Sequence, residues 1–131
     1  MDSVGIRYLK INFSEVLKEL REYARIKGRS HGTKAILLTG SLANGTYTGT
    51  SDADLLIIAD DVPTRSLDRY ALFANGSLSI DLEPRIFTTN EFVQLIQEGD
   101  HFAIESMKKG IPLYGETFIE GLKLKYKPFR P

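Results

Sequence analysis

The sequence predicts an α/β or α+β domain, a short mixed β-sheet flanked by helices, and three observations carry that expectation. Apolar residues at Phe13, Val16, Leu17, Leu20, Tyr23, Ala24 and Ile26 draw a helical stripe with charged residues on the opposite face. Two short apolar runs, 34–39 and 54–59, end at a glycine and at a pair of aspartates, as buried strands do. Two later segments, 89–98 and 101–109, place helix-start and helix-stop signals around periodic apolar residues.

In chain order, Asn12 with Glu15 three residues on makes a capping box for a helix over 13–27, and Gly28 supplies its stop. The strand over 34–39 stops at Gly40, and Ser41 to Gly45 reads as a short helical turn. A polar stretch follows, then the strand over 54–59, closed by Asp60, Asp61 and Pro63. A helix over 65–73 ends at Asn75-Gly76. Alternation over 77–83 predicts a third strand, which Pro84 either ends or confines to a sheet edge. Thr88 and Glu91 form a capping box for the helix over 89–98, with Phe87 and Phe92 placed as a hydrophobic staple. The helix over 101–109 stops at Gly110, and a last short helix is expected over 118–124. The basic tail, 123–131, interleaves Lys and Arg with aromatic residues; a solvated, partly disordered end is expected there ahead of RNA contact or partner docking.

At 131 residues the chain suits one domain over 1–131, its core about 34–115, with room for a conventional hydrophobic core and little for a second. Hydrophobic residues at 42% and charged residues at 26% are ordinary globular usage, which argues against disorder. A formal net charge of zero argues against a nucleic-acid binder driven by counterion release. With no cysteine, disulfides, thiolate zinc sites and cysteine nucleophiles are excluded. No apolar run approaches membrane-spanning length and no apolar signal segment is seen, so a soluble cytoplasmic protein is expected.

The chemistry concentrates between Leu38 and Asp54, where Gly40-Ser41, ten residues and Asp52-Ala53-Asp54 follow one another. Gly40 removes a side chain where backbone must approach a ligand, and a helical turn starting at Ser41 points free amides outward, a seat for the phosphates of an NTP. Residues two apart on a strand share a face, so Asp52 and Asp54 present two carboxylates together. Such a pair is relieved by a divalent cation with oxygen ligands, Mg²⁺ first and Mn²⁺ as an alternative. Asp81, between Ile80 and Leu82, is the third candidate, with Glu83 on the same face in reserve. Three carboxylates on neighbouring strands could hold two ions about 3.5–4 Å apart for an in-line displacement of pyrophosphate. Asp52 and Asp54 would bridge the ions and Asp81 would serve the catalytic one.

Gly40, Ser41, Asp52 and Asp54 meet the pattern of the DNA polymerase β-like superfamily, and over about 35–115 the chain resembles its minimal nucleotidyltransferases. It is most similar in kind to the MNT antitoxins that pair with HEPN-domain ribonuclease toxins. Ile80-Asp81-Leu82 looks like the third-carboxylate strand of that family, and 104–114 looks like the segment near the end of such domains. The resemblance implies a polymerase β-like fold and metal-dependent transfer of a nucleoside monophosphate, usually AMP from ATP, to a hydroxyl. In toxin–antitoxin members the acceptor is a tyrosine of the HEPN partner. A non-catalytic NTP-binding docking partner and a small-molecule nucleotidyltransferase are the rival readings. Where many relatives carry Arg-Ala-Arg-Gly in the turn, this chain has Leu42-Ala43-Asn44-Gly45, which weakens the expected grip on the triphosphate; weak ATP affinity, a different NTP, or compensation by a basic residue elsewhere, with Lys34 and Arg85 as candidates, are the readings left open.

His31 and His101 sit in polar surroundings at helix boundaries and read as surface or capping residues. Ser41 lacks a nucleophile elbow and reads as a phosphate-contacting hydroxyl. Tyr47 is placed to flank a nucleotide or to lie exposed.

Overall fold

The structure, a computed structural model, describes residues 12–46 and 52–129; Tyr47, Ser51 and the last two residues of the tail lie outside the described residues. The elements run α1 (Phe13–Lys27), β1 (Thr33–Thr39), α2 (Gly40–Asn44), β2 (Ala53–Ala59), α3 (Ser66–Phe73), β3 (Leu82–Phe87), α4 (Thr89–Gln97), α5 (His101–Lys109), β4 (Ile111–Tyr114) and α6 (Glu116–Lys125), with a 3₁₀ turn over Lys127–Phe129. The strands form one mixed sheet in the order β3-β2-β1-β4, in which β1 is antiparallel to both neighbours and β2 is parallel to β3. Helices flank that sheet, so the expected α+β class holds.

Local chemistry sets most of these boundaries. Asn12 Oδ1 accepts from the Glu15 N–H at 3.2 Å and starts α1. At α4 both halves of the Thr88–Glu91 capping box form, and the Phe87 and Phe92 rings pack 6.0 Å apart as the staple requires. Asp60 adds its carboxylate to the same helix start, accepting from the Thr89 N–H at 2.7 Å and its hydroxyl at 2.8 Å. Asp100, just ahead of His101, caps α5 through the Ala103 N–H.

Each face of the sheet carries its own core. On one, Ile36, Leu38, Leu55 and Ile57 pack under Val16, Leu20, Tyr23 and Ala24 of α1, with Phe73 of α3. On the other, Ala35, Leu37, Leu56 and Ile58 pack under Phe92 and Ile96 of α4, Ala103 and Met107 of α5, and Ile119 and Leu122 of α6. Burying each large apolar side chain this fully is worth about 1.5–3 kcal/mol, so the two layers, not local propensity, hold the short strands. Arg69 is buried and stitches three elements: it donates to the carbonyls of Pro63 and Ile86 and pairs with Glu91 at 2.7 Å. Among the described residues no helix is long and apolar enough to cross a membrane.

Four expectations are corrected. The third strand is Leu82–Phe87 rather than 77–83, so Asp81 precedes it and Glu83 lies inside it. Leu78 and Ile80 do pack on the core, but the Ser77 and Ser79 amides donate to the side chains of Asn75 and Glu19, not to a neighbouring strand. Pro84 sits within β3, which is tolerated because β3 is an edge strand. A strand at Ile111–Tyr114 was not expected, and α6 begins two residues before the expected 118. The described part of the tail is ordered on the domain: Tyr126 and Phe129 pack against the second core while Lys127 stays exposed.

Candidate active site

The site lies where β1 ends beside the start of β2. Thr39 pairs with Asp54, and the Thr39 hydroxyl donates to the Asp54 carbonyl at 3.2 Å. The chain then turns at Gly40 with φ 70°, a conformation that disfavours any side chain. Space forbids one as well: a Cβ on Gly40 would run into Asp54 Oδ2, with Asp54 Cγ at 3.0 Å and Cβ at 3.2 Å. The Asp54 carboxylate therefore lies directly against the bare turn. Gly40 also begins α2, one residue earlier than expected, and Gly45 closes that single turn in the left-handed region.

On the other side β3 runs parallel to β2 with Asp54 level with Glu83 and Leu56 level with Arg85. By strand alternation Glu83 and Arg85 stand on the face of Asp54. The Asp54 carboxyl is held above the usual aspartate value, first by burial, then by the Glu83 charge, with Asp52 adding to the rise and Arg85 pulling against it. These groups open into a cavity of about 570 Å³ whose lining includes Thr39, Gly40, Asn44, Asp54, Glu83 and Arg85. Its far wall is α5, which contributes His101, Phe102, Glu105, Ser106 and Lys109. Lys109 pairs with Glu105 at 3.0 Å, and that bond draws the Glu105 carboxyl below its ordinary range.

The predicted residues do not all converge. Gly40, Asp54 and the reserve Glu83 line the cavity. Asp52 is exposed, outside the lining, and acts on Asp54 through its charge. Asp81 is exposed just ahead of β3, its carbonyl accepting from the Ala53 N–H at 2.8 Å, and is not among the lining residues. Ser41 is half-buried in α2 and is not among the lining residues. Of the two candidate cations, Arg85 lines the cavity, whereas Lys34 is the second residue of β1, at the opposite end of the strand from Gly40. His31 is structural, its ring edge-on to Phe73 at 5.7 Å. His101 is exposed, as expected, but on the cavity rim. The α5 wall went unread, although His101, Glu105 and Lys109 recur every four residues and so mark one polar helix face.

Asp54 and Glu83 are hard oxygen donors on adjacent strands, and the Glu83 charge disfavours that of Asp54, a conflict that a divalent cation relieves. Among the described residues no group of three or more His, Asp or Glu side chains stands close enough to hold a metal by itself. The donor set fits an ion such as Mg²⁺ that keeps only one or two protein carboxylates and takes the rest of its oxygens from substrate phosphates and water.

The site thus joins a mixed four-stranded sheet, a glycine turn closing against a carboxylate and an open polar cleft in one α+β domain. Residues 14–113 match the family model of the nucleotidyltransferase domain, and the chain belongs to that family. No curated protein sequence matches it. Two solved structures share its fold. A Sulfolobus solfataricus protein named provisionally as a nucleotidyltransferase is 18% identical, with 76% of this chain and 80% of that one covered, at a TM-score of 0.52. A chain from a toxin–antitoxin crystal structure with AMP-PNP is 21% identical over 88% of this chain and 83% of its own, at a TM-score of 0.53.

Proposed function

We propose that this chain, as a single cytoplasmic domain, transfers a nucleoside monophosphate, AMP from ATP, to a hydroxyl. The acceptor would be a tyrosine of a HEPN-domain toxin that the chain neutralises as its antitoxin. One observation carries the catalytic part: the Asp54 carboxylate pressed against the bare Gly40 turn, with Glu83 beside it, at the floor of an open cavity. Membership in the nucleotidyltransferase-domain family supports the reaction, and the fold shared with a toxin–antitoxin chain solved with AMP-PNP supports the setting.

In this reading Asp52 and Asp54 hold Mg²⁺, or Mn²⁺ in its place, with Asp81 or Glu83 as third carboxylate. When bound, the metal would neutralise the phosphates and sharpen the attacking hydroxyl. Register and cavity favour Glu83 for the third place, because it is level with Asp54 whereas Asp81 is level with the exposed Asp52 end of β2. Gly40 lets the phosphates approach backbone, and the first amides of α2, Ser41 among them, face the anion. Burial and the Glu83 charge hold the Asp54 carboxyl above its usual value, and a bound cation would favour its charged form.

The test incubates the chain with α-labelled ATP, Mg²⁺ and the HEPN partner. Label should pass to the partner with release of pyrophosphate, and Asp54→Asn should stop it. Toxin inhibition that proceeds without nucleotide and survives Asp54→Asn would instead establish the docking reading. That rival draws on Leu42, which is fully buried where relatives offer a basic side chain.

A further inference from the structure

The turn that follows β1 brings no positive charge to the cavity. Leu42 is 1% exposed and belongs to the core under α1, while Ala43 and Asn44 line the cavity as neutral groups. A triphosphate carries several negative charges and needs a cation that the metal alone does not replace. Among the described residues two Lys or Arg side chains line the cavity, Arg85 and Lys109. Lys109 is already committed, pairing with Glu105 one helical turn away at 3.0 Å.

Arg85 is placed differently. It stands on β3 two residues beyond Glu83, on the same face and level with Leu56. Its guanidinium carbon lies 4.4 Å from the centre of the Phe102 ring, across the cavity on α5. Among the described residues it forms no ion pair, although it is near enough to Asp54 for its charge to act on that carboxyl. Arg69, by contrast, is closed on Glu91 and two carbonyls. The ring therefore seats the guanidinium by cation–π attraction and keeps it off the carboxylates, which leaves its planar fork of N–H donors open toward the cavity. A fork fixed in advance loses little rotamer freedom when it takes a bidentate oxyanion.

We propose that Arg85, seated on the Phe102 ring, binds the polyphosphate of the donor nucleotide and stands in for the basic turn this chain lacks. The assignment rests on the nucleotidyltransferase reading above and sharpens it, because it gives phosphate recognition to β3 and α5 rather than to α2. Loss of a guanidinium that merely offset the nearby carboxylate charge would also weaken phosphate binding, but Arg85→Lys would then restore it in full, so the lysine variant separates the two roles.

Calorimetric titration of the full chain with AMP-PNP in Mg²⁺, and separately with tripolyphosphate, reads the role directly. Arg85→Ala should weaken both about ten- to hundredfold, the loss expected for a charge-assisted bidentate contact. Arg85→Lys should recover part of the AMP-PNP affinity. Phe102→Leu, which keeps an apolar side chain but removes the ring, should weaken AMP-PNP binding several-fold, and should add nothing in the Arg85→Ala background if ring and guanidinium act as one unit. Melting without nucleotide should match the parent for both Arg85 variants, since that side chain is exposed. Undiminished AMP-PNP affinity in Arg85→Ala would overturn the assignment while leaving the enzyme reading intact. So would loss of AMP-PNP binding with tripolyphosphate binding preserved, which would place Arg85 at the nucleoside. A parent chain that fails to bind AMP-PNP with Mg²⁺ would overturn the enzyme reading itself.

Discussion

The two faces of β2 differ at the start of the strand and match over the rest of it. Toward α1, Ala59, Ile57, Leu55 and Ala53 are buried along the whole strand. Toward α4, α5 and α6, Ile58 and Leu56 are equally buried, but the next position is Asp54 and the one before it Asp52. Strand geometry is the same on both sides, so the cover makes the difference. α1 lays an unbroken apolar stripe over its face, whereas α5 gives Ala103 and Met107 to the core and turns His101, Glu105 and Lys109 toward a cavity. Asp54 is thus a carboxylate where the core would otherwise continue, and a strand that departs from its own pattern at one end marks a site whose stability was given up for function.

The largest expected effect separates the two faces outright. Asp54→Asn should lower nucleotidyl transfer by more than about a hundredfold, as loss of a preorganised charge at the reacting phosphates does. Its unfolding free energy should stay level or rise, because a half-buried carboxylate crowded by Glu83 is gone. Ile57→Ala on the opposite face should do the reverse, costing about 2–4 kcal/mol of stability by leaving a cavity in the core while transfer per folded molecule stays within about twofold. Urea titrations beside initial rates check both. A loss of stability in Asp54→Asn as large as in Ile57→Ala would make Asp54 a structural residue and break the contrast.

A smaller effect sharpens the same boundary through two glycines of one turn. Gly40 and Gly45 both have φ near 70–77°, but a side chain at Gly45 meets nothing within 4 Å while one at Gly40 meets Asp54. Gly45→Ala should cost about 1 kcal/mol, the conformational penalty alone. Gly40→Ala should cost measurably more and should also depress transfer, since the Asp54 carboxylate must move. Equal costs in the two variants would mean that the approach of Asp54 to the turn is not maintained in solution.

Most of the fold was legible because local signals agreed with packing: the caps at Asn12 and Thr88, the stripe of α1 and the apolar runs of β1 and β2 each point one way. β3 was misplaced because Leu78 and Ile80 bury themselves with strand-like alternation while their backbone is satisfied by Asn75 and Glu19 side chains, a tertiary choice with no local trace. β4 escaped because Ile111-Pro-Leu-Tyr is too short to show a period and exists only by pairing with β1. In the site, Gly40 and Asp54 were readable from spacing. That Glu83 rather than Asp81 stands level with Asp54 depends on the register of a parallel pair, which no sequence pattern states. The α5 wall was missed because a polar line facing a cavity looks the same in sequence as a polar line facing water.

The smallest effect lies in pH, where two carboxylates of the sheet's β3 side should pull in opposite directions. Glu91 is held below its ordinary value, chiefly by its hydrogen bonds from Arg69, so its contribution is present above the unfolded glutamate pKa and fades as pH falls through the lower folded value. Asp54 is held above its ordinary value by burial and by Glu83, so the folded state takes up its proton first, and the stability this gives is lost as pH rises through the folded value. Denaturation measured from about pH 3 to 7 should therefore show Glu91→Gln flattening the acid-side fall and Asp54→Asn removing the opposing slope. The first change should stay below about 1 kcal/mol, because the Glu91 side chain is 47% exposed and water screens its pair with the buried Arg69. An acid limb unchanged in Glu91→Gln would place the acid sensitivity elsewhere, and a slope unchanged in Asp54→Asn would mean that the crowding at the end of β2 is relieved without a cation.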